Sequence, residues 1–200
     1  NDESVEGLAA QSGNDRFAWD SYRRLIQMFG KTVQDIDGDR FADILHKLQA
    51  DKGYSGDLDM TADDLKHLVK EFKKVVKDET GEDFPQDPRK QLDLAVEAVF
   101  RSWNTERARL YRRRERIPND LGTAVNVCTM VFGNMGETSG TGVCFTRDPS
   151  TGHSGVYGDY LVNAQGEDVV AGIRNTLSLA DLERLDKKSY DELRSVMVKL

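Results

Sequence analysis

The sequence has little cysteine and no long hydrophobic run. Its 200 residues include only two cysteines, Cys128 and Cys144, and both lie in apolar stretches that are typical of strands. A disulfide-stabilised secreted domain is therefore not expected, and a reducing cytoplasm fits best. No apolar stretch reaches the roughly 20 residues needed to span a bilayer. We therefore expect no membrane partner.

Basic charge is also in deficit. The sequence has 35 acidic and 28 basic side chains, which gives a formal net charge of −7 at pH 7. Surfaces that bind the phosphate backbone of nucleic acids are usually basic, so we expect no nucleic-acid partner. The chain starts without methionine and finishes inside a helical pattern, at Val198-Lys199-Leu200. Both ends are therefore expected to be cuts in a longer protein.

The first half of the sequence is predicted to be helical. Apolar residues recur at helical spacing between about residues 14 and 103. One such series is Leu65, Leu68, Val69, Phe72 and Val76. Thr61 is a suitable N-cap for that helix, with Asp64 at its third position. Gly30 is predicted to end the first helix after Phe29.

After Pro118 the apolar residues alternate, which predicts strands. The first predicted strand covers residues 124–132, the second runs from Thr141 to Thr146, and the third from Val156 to Val162. Glycine-containing turns between them would produce an antiparallel meander. The second half of the chain is therefore predicted to contain a sheet.

Two helices are predicted to follow the sheet, one near Gly166 and one that runs from a cap at Ser178 to Leu200. The predicted buried stripe of the second helix is Leu179, Leu182, Leu185, Leu193, Val196, Met197 and Leu200. The fold class is α+β. We expect a mainly helical subdomain in residues 1–104, and a partial sheet with a glycine-rich loop and C-terminal helices in residues 105–200.

The first candidate site is the glycine-rich segment at residues 133–143, Gly-Asn-Met-Gly-Glu-Thr-Ser-Gly-Thr-Gly-Val. Its four glycines would let backbone N–H groups approach phosphate oxygens, and Thr141 adds a hydroxyl. The segment matches neither the Walker pattern nor the dinucleotide fingerprint. Two hairpin turns that need positive φ angles would explain the same glycines, and spacing alone favours that alternative.

The second candidate site is the acidic turn at residues 163–168, Asn-Ala-Gln-Gly-Glu-Asp. Carboxylates at Glu167 and Asp168 could hold Mg²⁺ or accept a proton from a ribose or an amine. The two side chains point in different directions, so at most one is expected to face a given ligand. Acids in the first turn also stabilise a helix through its dipole, so helix capping is an equal alternative.

A third candidate is a basic run of seven arginines between residues 101 and 116, interleaved with Trp103 and Tyr111. Such a run could bind phosphates. A solvated helix face that pairs with acids such as Glu106 and Glu115 is the favoured alternative, because the chain as a whole is acidic.

Several longer segments carry a resemblance that no single motif carries. They include Arg16-Phe-Ala-Trp-Asp-Ser-Tyr-Arg-Arg24, Gly122-Thr-Ala-Val-Asn-Val127, Ser139-Gly-Thr-Gly-Val143, Phe145-Thr-Arg-Asp-Pro-Ser-Thr-Gly152 and Asn163-Ala-Gln-Gly-Glu-Asp-Val-Val-Ala-Gly172. Together they resemble the pyruvate, phosphate dikinase family. The resemblance runs in order along the whole chain without large gaps, which makes it more specific than a glycine loop.

The resemblance implies part of an ATP-grasp nucleotide-binding domain, in which the helical half is an insertion and the sheet half grips ATP with Mg²⁺. In the family, ATP, phosphate and pyruvate become AMP, pyrophosphate and phosphoenolpyruvate through a phosphohistidine on another domain. The implied partners are ATP and the phosphohistidine and pyruvate-binding domains of the parent chain. The parent is expected to be a cytoplasmic homodimer.

The resemblance also implies six nucleotide-binding positions. They are Met130, Val131, Thr141, Gly142, Glu167 and Asp168. The first pair corresponds to the edge that hydrogen-bonds adenine, the second to the phosphate-facing loop, and the third to the ribose or phosphate end of ATP. Family members often carry Gln at the position of Cys128, so this chain lacks the side-chain amide that the family has near the base. They often carry Glu at the position of Asp159, where this chain keeps the charge on a shorter side chain.

Several parts of the family's machinery fall outside the matching residues. These are the phosphate-gripping lysine and arginine, the Asp-x-Glu metal ligands and the phosphorylated histidine. We therefore expect no catalytic residue in this fragment, and its metal ligands stay unassigned. Charge stabilisation of a transferring phosphoryl group needs those cations, so the fragment alone is expected to be inactive.

Two other functions stay open. A phosphoenolpyruvate synthase or a glucan, water dikinase would share the nucleotide-domain fold and the phosphohistidine chemistry. The large helical insertion and the turn at residues 163–168 favour the pyruvate, phosphate dikinase. The other alternative is a non-catalytic module whose helical half binds a protein and whose glycine loops are turns, and such a module would show no protection by nucleotide.

Overall fold

The structure, a computed structural model, describes residues 1–172 and 174–199. Its contacts divide the chain into two compact units, Asn1–Cys128 and Thr129–Leu200. The first unit is helical, and the described residues of the second form an antiparallel sheet and three helices. The predicted α+β class is confirmed. The division into functional subdomains after residue 104 stays a prediction.

The first unit contains six α-helices and one short 3₁₀ turn, Asp57–Asp59. The helices are α1 Asp2–Ser12, α2 Asp15–Thr32, α3 Gly38–Lys52, α4 Ala62–Thr80, α5 Pro88–Ser102 and α6 Glu106–Glu115. Helix α1 precedes the predicted helical stretch. Val5 of this helix is buried, and Leu8 and Ala9, three and four residues later, are partly buried against the same core, so the helix carries a short apolar stripe that was not predicted. No helix in the described residues is both long and apolar enough to cross a membrane.

The core of the first unit lies between α2, α3 and α4. Ile26, Phe41 and Phe72 are fully buried there. The rings of Phe41 and Phe72 meet edge to face with centroids 5.0 Å apart. Such a pair adds about 0.5–1.5 kcal/mol beyond the burial of its area. The helices are therefore held by packing of their apolar stripes rather than by propensity alone.

The predicted end of the first helix at Gly30 is wrong, because α2 continues to Thr32. Gly30 serves another purpose. A Cβ at this position would lie 2.6 Å from Cζ of Phe41, so the missing side chain lets the ring approach the helix. The glycine is needed for close packing and not for a positive φ angle.

The predicted cap of α4 is confirmed. The Thr61 N–H donates to Oδ2 of Asp64 at 3.0 Å, and the Asp64 N–H donates to Oγ1 of Thr61 at 3.2 Å. Asp64 is buried. Its carboxylate also forms an ion pair with Nζ of Lys52 and accepts a hydrogen bond from the hydroxyl of Tyr54, each at 2.9 Å. This reciprocal pair satisfies backbone donors that the first turn of a helix leaves unpaired.

The sheet of the second unit has the order β1-β2-β3 and is antiparallel. Its elements are β1 Gly140–Arg147, β2 Ser154–Val162, α7 Gly166–Val170, β3 Leu177–Ser178, α8 Leu179–Leu185 and α9 Lys187–Met197. The predicted hairpin is therefore confirmed, and β1 and β2 correspond to the second and third predicted strands. The short β3 pairs with the middle of β2 and was not predicted.

The predicted strand at residues 124–132 is wrong. No strand is formed there, and the side chains of Val127 and Val131 are 71% and 89% exposed. A strand needs a neighbour for its backbone N–H and C=O groups, and the described residues place none beside this segment. The alternating pattern is present, but no neighbouring strand in the described residues pairs with it.

The single helix predicted from Ser178 to Leu200 is also wrong in part. Ser178 caps a helix as predicted, but the helix ends at Leu185, and Asp186 caps α9 by accepting the N–H of Ser189 at 3.1 Å. An aspartate that caps a second helix interrupts the first. Of the predicted stripe, the buried residues are Leu179, Leu182 and Met197, while Leu185 and Val196 are exposed. Leu200 lies outside the described residues.

Candidate functional site

Backbone hydrogen bonds join the glycine-rich segment to the acidic turn. The N–H of Ala164 donates to the carbonyl of Gly133, and the N–H of Asn163 donates to the carbonyl of Ser139, both at 2.8 Å. The two segments were predicted as separate candidates. The fold brings them together as one junction at the end of β2.

Close backbone approach explains the glycines at this junction. A Cβ at Gly133 would lie 2.3 Å from the carbonyl oxygen of Ala164, and one at Gly142 would lie 2.7 Å from that of Asp159. Of the four glycines of the segment, only Gly136 has a positive φ, 146°. The alternative of two turns with positive φ angles therefore accounts for one glycine of the four.

Ser139 closes the loop that precedes β1. Its hydroxyl lies 2.8 Å from the carbonyl of Gly136 and 3.0 Å from that of Gly133, and it accepts the N–H of Gly136 at 3.0 Å. One hydroxyl proton can serve only one of the two carbonyls at a time. The side chain thus fixes the path of the loop from residue 133 to residue 139.

Asn134 is a buried polar residue of the loop for which no role was predicted. Its side chain accepts a hydrogen bond from Nε2 of Gln165 at 3.3 Å, and its own Nδ2 is buried without a hydrogen-bond partner in the described residues. A buried donor without a partner costs about 1–3 kcal/mol. Its position directly after Gly133 was the only signal in the sequence.

Arg174 holds the turn between β2 and α7 and was also not selected. Its Nη1 donates to the carbonyl of Asn163 at 2.9 Å, and its Nη2 donates to the carbonyl of Val162 at 3.2 Å. Asn163 itself has a positive φ of 48°. One guanidinium therefore supports backbone that most side chains adopt reluctantly.

The predicted phosphate-facing residues lie on β1 directly after the loop. Thr141 is half-buried and pairs with Leu161 of β2, and Gly142 is exposed and pairs with Tyr160. Since β1 is an edge strand of the described sheet, every second N–H group on it points away from β2. This end of β1 therefore offers backbone donors and one hydroxyl at the same place.

The two predicted acids differ in their surroundings. Glu167 is exposed in the first turn of α7, whereas Asp168 is buried. Oδ2 of Asp168 accepts the N–H of Gln165 at 2.9 Å as part of a capping box. The capping alternative is therefore confirmed for Asp168, whose carboxylate holds the start of α7 through this hydrogen bond.

The predicted adenine contacts lie in the segment that forms no strand. Met130 is 59% exposed, and Val131 is the most exposed large apolar side chain of this segment. No strand pairing in the described part of the chain ties either residue to the glycine loop or to the acidic turn. They share the second unit with both segments, and the glycine loop begins two residues after Val131.

No complete protein-only metal site is found among the described residues. They contain no group of three or more His, Cys, Asp or Glu side chains that could hold a metal ion. Mg²⁺ usually binds one or two carboxylates together with water and substrate phosphates. Of the two acids of the turn, Asp168 already accepts a capping hydrogen bond.

One arginine of the basic run is not part of the solvated helix face that was predicted. Arg112 is buried, whereas Arg109, Arg113 and Arg114 of the same helix are exposed as predicted. The ion pair between Arg114 and Glu115, at 3.5 Å, is one of the predicted acid contacts. Burial of Arg112 depends on residues outside the helix, so the charge pattern of α6 alone could not predict it.

The chain is similar to known proteins of one family. A family model described as pyruvate phosphate dikinase, AMP/ATP-binding domain, matches residues 32–188. Pyruvate, phosphate dikinase of Clostridium symbiosum is 54% identical over 201 residues, which cover 100% of this chain and 23% of that protein. The chloroplastic enzymes of Zea mays (dikinase 1) and Arabidopsis thaliana (dikinase 1) are 55% and 53% identical over 193 residues, which cover 96% of this chain and 20% of each relative.

The chain thus spans 20–23% of the length of these relatives. All three carry the dikinase name, so a phosphoenolpyruvate synthase, a glucan, water dikinase or a non-catalytic module is not favoured. The family model covers most of the chain and includes both the glycine loop and the acidic turn. This chain belongs to the pyruvate phosphate dikinase AMP/ATP-binding domain family.

Proposed function

We propose that this chain forms one wall of the ATP site of a pyruvate, phosphate dikinase. The parent enzyme would convert ATP, phosphate and pyruvate into AMP, pyrophosphate and phosphoenolpyruvate. The observation that carries the proposal is the junction in which Ala164 and Asn163 donate to the carbonyls of Gly133 and Ser139. It gives the glycine loop and the acidic turn a common purpose, which a protein-binding module would not require.

In this proposal the start of β1 binds the phosphates. Thr141 offers its hydroxyl, and the exposed Gly142 leaves room for a phosphate oxygen to reach the backbone. A side chain at residue 142 would also collide with the neighbouring strand. Phosphoryl transfer depends mostly on positioning and on charge stabilisation. This wall supplies positioning through neutral donors.

The acidic turn binds the ribose or phosphate end of ATP. Glu167, exposed at the start of α7, accepts a hydrogen bond from a ribose hydroxyl, while the buried Asp168 keeps the turn closed through the N–H of Gln165. Mg²⁺ would neutralise charge on the phosphates when bound. The ligands of the ion would come from the phosphates, from water and from other parts of the parent.

The extended segment at Met130 and Val131 binds adenine. Both side chains are largely exposed in the described structure, and an adenine ring would cover part of their apolar surface. The backbone of residue 131 can pair with the amino group and a ring nitrogen of the base. Cys128 is exposed and directly precedes the second unit, and it has no side-chain amide with which to add a base contact.

The other domains of the parent enter the proposal as partners. We propose that a phosphohistidine domain and a pyruvate-binding domain act with this one, in a homodimeric parent located in the cytoplasm. Relatives in plants carry the word chloroplastic in their names, so imaging of the tagged parent has to decide between the two compartments.

Calorimetry of Mg²⁺-ATP binding to the parent enzyme tests the site. Thr141→Val and Glu167→Ala are each expected to weaken binding by about threefold to tenfold, which corresponds to one hydrogen bond of about 0.5–1.5 kcal/mol. Thr146→Val is the matched control, because it makes the same change at the other end of β1. Equal affinities for Thr141→Val and Thr146→Val would remove the phosphate role from the loop.

A further inference from the structure

A buried cation lies near the end of the first unit without an acidic partner. The Arg112 side chain is buried, and its guanidinium lies over the Trp103 ring at 3.9 Å from the centroid. Its Nη1 donates to the carbonyl of Trp103 at 2.5 Å, and its Nε donates to Oδ1 of Asn119 at 3.0 Å. Both acceptors are neutral, and no ion pair of Arg112 is formed within the described residues. A buried charge without a countercharge is costly.

Two more arginines stand beside this one. Arg109 and Arg113 are spaced by four residues, so they share one face of α6 with Arg112. The three line an open cavity of about 400 Å³ together with Asn104, Ile117 and Asn119. Like charges at this spacing repel one another. The cluster therefore raises a positive potential in a cavity that also carries two amide side chains.

The local charge balance of α6 does not relieve that repulsion. Among the described residues, the acid that pairs with this helix is Glu115, and it contacts Arg114, which does not line the cavity. The C-terminal end of a helix carries a partial negative charge of about half a unit, which three full positive charges outweigh. The carbonyl of Arg112 is already satisfied by the N–H of Ile117 at 2.9 Å.

We propose that this cavity binds an oxyanion of the phosphate class. Nη2 of Arg112 has no acceptor within the described residues, and the exposed Arg109 and Arg113 can each present two parallel N–H donors to phosphate oxygens from the rim. Arg112 is already oriented by Trp103 and Asn119, so little entropy is lost when it binds. The anion would supply the countercharge that the buried guanidinium lacks. The proposal concerns residues 104–119 and is independent of the nucleotide site.

The test follows the arginine Nε–H signals of the full 200-residue chain by NMR during a titration with inorganic phosphate. Potassium chloride at the same ionic strength is the reference for general screening. We expect saturable shifts at Arg109, Arg112 and Arg113. Shifts no larger than those in chloride would overturn the proposal, and saturation by acetate at equal concentration would replace phosphate by a carboxylate as the preferred ligand and so refute it.

Matched variants separate the cavity from the charge of the helix as a whole. Arg109→Gln and Arg113→Gln are each expected to weaken phosphate binding at least tenfold. Arg107→Gln and Arg114→Gln remove one charge from the same helix but do not touch the cavity, so their affinity should change less than twofold. Equal losses in all four variants would mean diffuse attraction and no site. Circular dichroism checks that each variant is folded. Because Arg109 and Arg113 are both exposed, a folded variant at either position is enough to test the proposal.

Discussion

Replacement of Gly133 by alanine is the sharpest test of the junction between the glycine loop and the acidic turn. The new Cβ would lie 2.3 Å from the carbonyl oxygen of Ala164 and 2.8 Å from that of Gly140. Neither oxygen is the end of a flexible side chain, so backbone has to move. Overpacking of this kind typically costs about 1–3 kcal/mol.

The expected effect is local because the hydrogen bond from the N–H of Ala164 to Gly133 is the contact that must lengthen. A cost of about 2 kcal/mol corresponds to roughly 30-fold faster exchange of that amide when exchange proceeds through opening of the structure. Hydrogen exchange measured by NMR at Ala164 and Asn163 reports it directly. The amides of α4, in the other unit, serve as an internal reference.

Gly166→Ala is the matched control. No atom lies within 4 Å of a Cβ built at this position, and its φ is not positive. Gly166 begins α7, where alanine is the better helix former by up to about 1 kcal/mol. Exchange at Ala164 should therefore stay unchanged or slow down. If Gly133→Ala left the protection of Ala164 as it was, the close approach would not matter and the junction would lose its role.

Three further predictions concern the stability of the chain. Gly30→Ala should lower the free energy of unfolding by about 1–3 kcal/mol in urea, because its Cβ would meet an aromatic ring at 2.6 Å, whereas Gly7→Ala, with open space, should raise it by up to about 1 kcal/mol. Ser139→Ala should cost about 1 kcal/mol and speed exchange at the N–H of Gly136, which its hydroxyl accepts. Burial acts to raise the pKa of Asp64, but hydrogen bonds from its lysine, threonine and tyrosine partners outweigh burial and hold that pKa well below the usual value. A depressed pKa contributes stability above the unfolded value, so stability should fall as the pH drops below about 4, and Asp64→Asn should flatten that decline in acid titrations followed by circular dichroism.

Local signals in the sequence predicted the parts of the fold that local physics decides. The capping box of α4 needs only Thr61 and Asp64, and the hairpin of β1 and β2 needs an alternating pattern with a turn between its strands. Residues 124–132 carry the same alternating pattern but form no strand, because pairing depends on a neighbour that the pattern does not specify. Gly30 shows the same limit, since a glycine can mark either a helix end or a close contact.

The candidate site divides in the same way. The glycine loop and the acidic turn could each be predicted from composition, and so could the capping role of Asp168. Their union could not, because the hydrogen bonds from Asn163 and Ala164 cross more than twenty residues of sequence. Arg174 was missed for a related reason: its guanidinium supports carbonyls eleven and twelve residues earlier, and no local pattern announces such a contact.

The charges near the loop also limit what this chain can do by itself. In the second unit, Arg174 is committed to backbone carbonyls of the turn, and Arg147 donates to the carbonyl of Gly152. The loop itself, residues 133–143, contains no lysine or arginine, so the donors that it offers to a phosphate are neutral groups, which orient a phosphoryl group but do not neutralise its charge. We expect the isolated chain to bind Mg²⁺-ATP at least tenfold more weakly than the parent enzyme, with no turnover. Calorimetry and a coupled assay on both proteins measure this, and ATP-dependent phosphoryl transfer by the 200 residues alone would show that neutral positioning suffices.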